Sequence, residues 1–259
     1  MFRSLGLRTD EMVMAQRSAF EDRGDHIVQR TPDEPTFWFG NQVIWKTAAD
    51  DPAPMLAAFD AAFPEAAHCV LSFDVPNITV PDWAAGLDGF EGDSADVLSL
   101  EGPILGPDVP EGFEFRPLSS ETDWRSLIGC QTRTGIEEGF SAETHRAYVT
   151  DKVTAIRQEC VAGRSTWFGI FDGDTLAADM GIVSNGVLAR FQSVETMPEY
   201  RKQGLCAALL RQVHDVTAAR YPGVQFVIVA DSDGEAGRIY RRAGFAFTER
   251  LFSLMKRGY

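Results

Sequence analysis

The sequence has no apolar run long enough to cross a bilayer. Its opening, MFRSLGLRTDEMVMAQ, lacks the apolar core of a secretion signal. Its four cysteines, Cys69, Cys130, Cys160 and Cys206, form no C-x-x-C and no close pair, so reduced thiols in a cytoplasm are expected. The four histidines, His26, His68, His145 and His214, are equally scattered, no cluster has zinc spacing, and no metal is expected. Cations are scarce in the first half. Residues 1–110 hold 6 Lys and Arg against 19 Asp and Glu, whereas the remainder holds 18 against 19, so the net charge of −14 falls almost wholly on the first half. That balance excludes general nucleic-acid binding, because phosphates would be repelled. It fits two readings: plain solubility, or a division in which the second half hosts an anionic ligand while the first attracts cations.

At 259 residues the chain suits one large or two small domains. The proline- and glycine-rich segment EGPILGPDVPEGFEF (101–115) divides it into an N-terminal α/β domain over 1–102, a linker over 103–112 and a second domain over 113–259. In that domain SSETDWRSLIGCQT opens with helix-cap chemistry, GIEEGF reads as a loop, and SAETHRAYVTDKVTAIRQECVAG reads as a helix ending near Gly163. Three strands follow, broken at Asp172-Gly173-Asp174 and Asn185-Gly186. Then come a helix carrying Leu205, Leu209, Val213 and Val216, a buried strand in VQFVIVAD, a short helix with Ser232 and Glu235 as a capping box, and two closing strands in GFAFTERLFSLMKR. The expected order is α-α-β-β-β-α-β-α-β-β, an α/β layered domain. The first half echoes parts of this: TFWFG from Thr36 against TWFG from Thr166, and GFEGDSADVLSLEG from Gly89 against GFAFTERLFSLMKRG from Gly244. The echoes fit either a degenerate copy or coincidence.

The stretch ETMPEYRKQGLCAALLRQV (195–213) asks for an explanation. A strand that turns into a helix aims several unpaired N–H groups, and the positive end of the helix dipole, at one point. Gly204 lets backbone approach an anion, and Arg201 and Lys202 add charge. The spacing is neither a Walker loop nor a dinucleotide fingerprint. An ordinary connection with solvated cations would use the same residues. Beyond these physics, PEYRKQGLCAALL resembles the acyl-CoA-binding motif (Q/R)-x-x-G-x-(G/A) of the GNAT superfamily of N-acetyltransferases. Arg201 takes its first position and Gly204 its fourth, and Cys206 stands where Gly or Ala is usual. IYRRAGF (239–245) resembles the closing segment of that family, and the element order matches its fold.

The resemblance implies a GNAT-like mixed sheet flanked by helices, with the first half as a second, smaller α/β domain and a candidate degenerate repeat. It implies acetyl-CoA as co-substrate, with Arg201, Lys202 and the backbone of Gln203, Gly204, Leu205, Cys206 and Ala207 around the pyrophosphate. Val194, Glu195 and Thr196 would pair with the pantetheine arm. A neutral primary amine would attack the thioester directly, in a ternary complex, with no covalent intermediate and no membrane or nucleic-acid partner. Tyr240 would donate to the departing sulfur, or it is a packing aromatic. Glu195 is a candidate base, or contributes only its backbone. Glu137 and Glu138 are candidate substrate contacts, or solvated loop charges. Asp233 is a candidate helix cap. Cys206 reads as a packing residue, since no His or Asp supports a covalent route. The first half carries Asp50 and Asp51 where its own phosphate turn would lie, so it is expected to bind no coenzyme A. The competing reading of the whole chain is a non-catalytic acyl-CoA sensor or interaction module.

Overall fold

The first helix, α1 (Leu5–Met14), starts where three acceptors meet its unpaired amides. Ser4 Oγ accepts from Leu7 N–H at 3.2 Å, and the Glu249 carboxylate accepts from Gly6 N–H at 2.9 Å. The buried Asp74 carboxylate takes the N–H groups of Arg3 and Ser4. A meander of β1 (Ala19–Asp22), β2 (His26–Arg30) and β3 (Gln42–Trp45) follows, antiparallel throughout. Then α2 (Ala53–Ala62) carries the chain to β4 (His68–Phe73), which runs parallel to β3. The apolar run of β4 is buried along its whole length, as a strand covered on both faces must be. Next comes β5 (Glu91–Leu100).

Further along are β6 (Phe113–Pro117), α3 (Glu121–Glu137), α4 (Ala142–Val161), β7 (Ser165–Asp172), β8 (Thr175–Ser184) and β9 (Leu188–Thr196). They lead into α5 (Leu205–Arg220), β10 (Gln225–Asp231), α6 (Ala236–Arg242) and β11 (Ala246–Arg257). Gly173 at φ +56° and Gly186 at φ +87° make the two hairpin turns, in the left-handed region where a missing Cβ removes the steric penalty. This computed structural model describes every residue except Met1, Glu138, Asp233 and Glu235, so the Ser232–Glu235 capping box and the Asp233 cap lie outside the described residues.

The chain divides into two compact units, Met1–Leu98 with Val229–Arg238 and Phe247–Tyr259, and Ser99–Ile228 with Ile239–Ala246. In the first, the strands lie in the order β1-β2-β3-β4-β11-β5, with β11 antiparallel to β4 from Ser253 opposite Ser72 to Arg257 opposite His68. Its core joins Met55 and Phe59 of α2 to Val43, Trp45, Leu71 and Phe73. In the second, the order is β10-β9-β8-β7-β6, antiparallel from β6 to β9 and parallel between β9 and β10. Trp124 and Leu127 of α3, with Val149, Val153 and Ile156 of α4, pack on Trp167, Phe171 and Leu176 of the sheet. Both units thus contain a meander followed by a strand–helix–parallel strand crossover, β3-α2-β4 and β9-α5-β10. This is an α/β fold with a mixed sheet flanked by helices.

Several sequence expectations need correction. GIEEGF is not all loop: α3 runs to Glu137, because Gly135 lies against His145, where a Cβ would fall 1.9 Å from Nε2, and this packing outweighs the helix penalty of glycine. Phe113–Pro117 is a strand that the expected element order lacked. GFAFTERLFSLMKR forms one strand, since no Gly, Pro or Asn interrupts residues 246–257. The TFWFG echo has no structural counterpart, for Trp38–Gly40 is a 3-10 turn while Thr166–Gly169 lies inside β7. The segment before β6 is tied down: Leu105 N–H donates to Ala243 O at 2.9 Å, and Arg211 donates to Gly106 O at 3.0 Å.

Candidate active site

The head of α5 is open. Gly204 stands at φ +82°, a conformation that disfavours any side chain, and a Cβ built there would find only Pro107 Cγ, 3.8 Å away. Gly204 O accepts the first intrahelical bond, from Ala208 N–H at 3.0 Å. The amides of Leu205, Cys206 and Ala207 therefore precede the helix ladder. No side chain caps this end, and its first turn has no acid. Lys202, at φ +62°, also sits in the left-handed region. Such a head, with a dipole and two cations, fits a diphosphate.

The strand feeding this turn is irregular at the useful point. Asp179 of β8 faces Glu195 of β9, but Gly181 faces Gln192, so Ser193 and Val194 together oppose Met180. This is a β-bulge, and Ser193 takes φ +43° within it. On its other edge, β9 pairs with β10 only from Leu188 to Arg190, leaving the edge of Val194–Thr196 clear of that partner. An extended arm laid there would meet strand backbone that β10 does not pair, with Thr196 O already accepting from Arg201 Nε at 3.2 Å.

Two side-chain clusters flank these features. In the first, Tyr240 is 5% exposed on α6, and the Cys206 thiol lies close enough to raise its pKa further, after burial has already raised it. The structure thus brings Tyr240 to the first turn of α5. Burial pushes the Cys206 thiol up to about 11, leaving it protonated and inert as a nucleophile. In the second cluster, Glu195 turns its carboxylate to α3, where Thr134 Oγ1 donates to Oε2. Its cross-strand neighbour Asp179 is 1% exposed and accepts from Trp167 Nε1 at 3.1 Å and Gln131 Nε2 at 3.4 Å. Burial first, then the charge of Glu195, raises the Asp179 pKa well above the carboxylate range.

Two ion pairs tie α3 to the turn. Arg201 Nη2 bonds Glu137 Oε2 at 3.0 Å, and Arg133 Nη1 bonds Glu199 Oε1 at 2.8 Å. Glu137 is therefore engaged with Arg201 and would reach an acceptor only by leaving an exposed pair, worth about 0–1 kcal/mol. Glu138 lies outside the described residues. Sequence reasoning missed Asp179, Thr134 and Gln131. The signal for Asp179 was present: it is a charged residue in the middle of the otherwise apolar strand TLAADMGIV.

Residues 132–253 match the family model described as an acetyltransferase (GNAT) domain. The chain carries a GNAT domain. Solved structures share its fold. A functionally unknown conserved protein from Staphylococcus epidermidis aligns at 12% identity and TM-score 0.73, covering 92% of this chain and 93% of the other. A GCN5-related N-acetyltransferase from Kribbella flavida aligns at 16% identity and TM-score 0.62, over 98% and 94%. A tandem GNAT protein from the clavulanic acid biosynthesis pathway aligns at 12% identity and TM-score 0.62, over 94% and 84%. At these identities the likeness concerns fold alone, and the tandem neighbour fits a second GNAT-like copy in the N-terminal half. No curated protein matches the chain. Among the described residues, no group of three or more His, Cys, Asp or Glu could hold a metal, and no helix is long and apolar enough to cross a membrane.

Proposed function

We propose that the chain is an N-acetyltransferase that moves an acetyl or other short acyl group from coenzyme A to a primary amine in a ternary complex. The observation that carries this reading is the uncapped head of α5 after a bulged strand whose last residues β10 does not pair. Acetyl-CoA, when bound, supplies an activated thioester as acyl donor. The chain supplies the rest. The amides of Gln203 to Ala207, with Arg201 and Lys202, hold the diphosphate. The backbone of Val194, Glu195 and Thr196 aligns the pantetheine, and the bulge offers a backbone donor toward the thioester oxygen. Glu195 takes the proton from the acceptor ammonium, directly or through water, and Tyr240 O–H donates to the leaving sulfur. A phenol whose pKa is raised by burial stays protonated, as that donor role demands. Much of the rate enhancement then comes from holding amine and thioester together.

The test is thiol release from acetyl-CoA with a panel of amines: peptides, polyamines, aminoglycosides and amino acids. Turnover with at least one amine, and one acetyl-CoA bound per chain by calorimetry, is expected. Binding without turnover across the panel would turn the reading toward a sensor, and no binding at millimolar supply would remove it.

A further inference from the structure

Asp179 has no explanation in packing. Its strand neighbours Ala178 and Met180 are buried and apolar, and an aspartate among them costs several kcal/mol unless its charge is met or neutralised. The surroundings are built to meet it. Gly181 leaves room for the Trp167 indole, since a Cβ there would lie 2.2 Å from the ring, and the indole N–H is then held on Asp179 Oδ1. Gln131, 2% exposed, turns its amide nitrogen to the same oxygen, while its own Oε1 has no partner. An amide can serve either state of a carboxyl, with N–H toward a carboxylate or, once turned, oxygen toward a carboxylic acid. Glu195 stands directly opposite across the strand pair, at a separation where Cβ atoms lie about 4.5–5.5 Å apart.

We propose that Asp179 is a positioning residue that holds one proton in common with Glu195, so that the pair, rather than Glu195 alone, takes the proton from the acceptor ammonium. This inference rests on the acyltransferase reading above. In the step, one N–H bond of the ammonium breaks and one carboxyl O–H bond forms. The pair goes from two negative charges to one, the amine becomes neutral, and Glu195 later returns the proton to solvent. Two carboxylates on directly opposed residues, one of them 1% exposed, resist simultaneous ionisation, which raises the affinity of the pair for its first proton. Among the described residues, Lys152 on α4 acts on Asp179, Cys130 on α3 lies close to both carboxylates with Arg133 and Glu199 acting on it in turn, and His145 on α4 meets Gln131 O. Lys152, whose Nζ donates to Ser193 Oγ at 3.2 Å, moderates the repulsion and keeps the pair's affinity for a proton within reach of neutral pH.

The experiment has two arms on the full-length chain. Carboxyl 13C NMR follows Glu195 through a pH titration, with Glu195→Gln used to assign its signal. Glu195 is expected to titrate above the ordinary carboxylate range, and by one pH unit or more lower in Asp179→Asn. An unmoved Glu195 titration would overturn the proposal whether or not the chain is an enzyme. In the second arm, the acid limb of kcat/KM should move down by about one pH unit in Asp179→Asn. It should move up in Trp167→Phe, which removes a donor that favours the Asp179 charge while keeping a ring. Opposite shifts cannot come from general loss of structure, and coincident limbs in all three proteins would overturn the proposal. A shared titration in a chain that acetylates no amine would sink the proposed activity and leave the proton sharing standing.

Discussion

The two crossover helices α2 and α5 begin in opposite chemical states. Each follows a strand, and each leads to a strand parallel to the one before it. The head of α2 is closed by its own chain: Pro52 stands at the N-cap, Asp51 accepts the Ala53 amide at 2.9 Å, and Asp50 adds a second charge. The head of α5 has a left-handed glycine, no side-chain cap, no acid in its first turn, and Arg201 and Lys202 before it. A helix N-terminus attracts an anion in either case. In the first unit that anion is a built-in carboxylate; in the second no side chain caps the helix, and the proposed reading gives the place to the diphosphate. On that reading the same topology serves as a structural joint or as a binding site according to what meets the leading amides, of which Asp51 takes that of Ala53 at α2.

The largest expected effect breaks this asymmetry. Gly204→Val forces a β-branched residue to φ +82°, which costs about 1–3 kcal/mol, and puts methyl groups over the amides. Acetyl-CoA affinity should fall about 30-fold or more by calorimetry. Asp51→Ala at the other helix should leave affinity and a stoichiometry of one unchanged. It should cost about 1 kcal/mol of stability, as the loss of a cap does. Two coenzymes per chain in Asp51→Ala would show that charge alone had silenced α2, and an unaffected Gly204→Val would place the nucleotide elsewhere.

Tyr240→Phe sharpens the comparison by separating binding from chemistry at α5. Removal of a proton donor to the leaving thiolate should lower kcat about 10- to 100-fold, within the range of general acid catalysis. Acetyl-CoA affinity should stay within about twofold. Equal losses in kcat and affinity would make the phenol a packing group only.

How far the sequence revealed this contrast depends on the range of the interactions. The α5 head was legible because glycine, two cations and the strand before them are contiguous, and a local turn writes its chemistry locally. Asp50 and Asp51 at α2 were legible for the same reason. The Asp179–Glu195 pair was not, because it joins residues 16 apart through a register that the bulge at Ser193 shifts. Nor was the course of β11, which pairs with β4 across some 180 residues. Gly135 misled because its helical position is set by His145 packing rather than by propensity.

A third helix head shows what closure by a carboxylate is worth. Asp123, 4% exposed in the first turn of α3, accepts from Ser119 and Ser120 N–H and holds Arg116 through two bonds of 2.9 Å. Arg116 in turn lies 3.6 Å over the Phe171 ring. The guanidinium, followed by the Ser119 and Ser120 amides, holds the Asp123 pKa far below the ordinary carboxylate range against the opposing effect of burial. A depressed folded pKa contributes stability that is complete above the unfolded value near 4 and is lost as pH falls through the folded one. Asp123→Asn should therefore cost about 2–3 kcal/mol at neutral pH, read by denaturant unfolding, and progressively less toward pH 2. A cost that does not shrink with acid would mean that shape, not charge, closes this helix.

The smallest effect belongs to Cys206, and its smallness is informative. A thiol at a helix N-terminus beside two cations is the usual setting for a reactive nucleophile, and an open α5 head could serve a covalent acyl-enzyme as readily as a bound diphosphate. The two uses differ in what the thiol must be. Here burial carries it up to about 11, against the helix dipole, so it is almost wholly protonated at neutral pH. Cys206→Ala keeps the side chain small and leaves the backbone amide in place. Turnover and acetyl-CoA affinity should each stay within about twofold, and mass spectrometry of wild-type chain quenched during turnover should find no acetyl group on Cys206. A 100-fold loss, or a trapped thioester, would recast the head of α5 as the seat of the chemistry rather than a clamp for the donor.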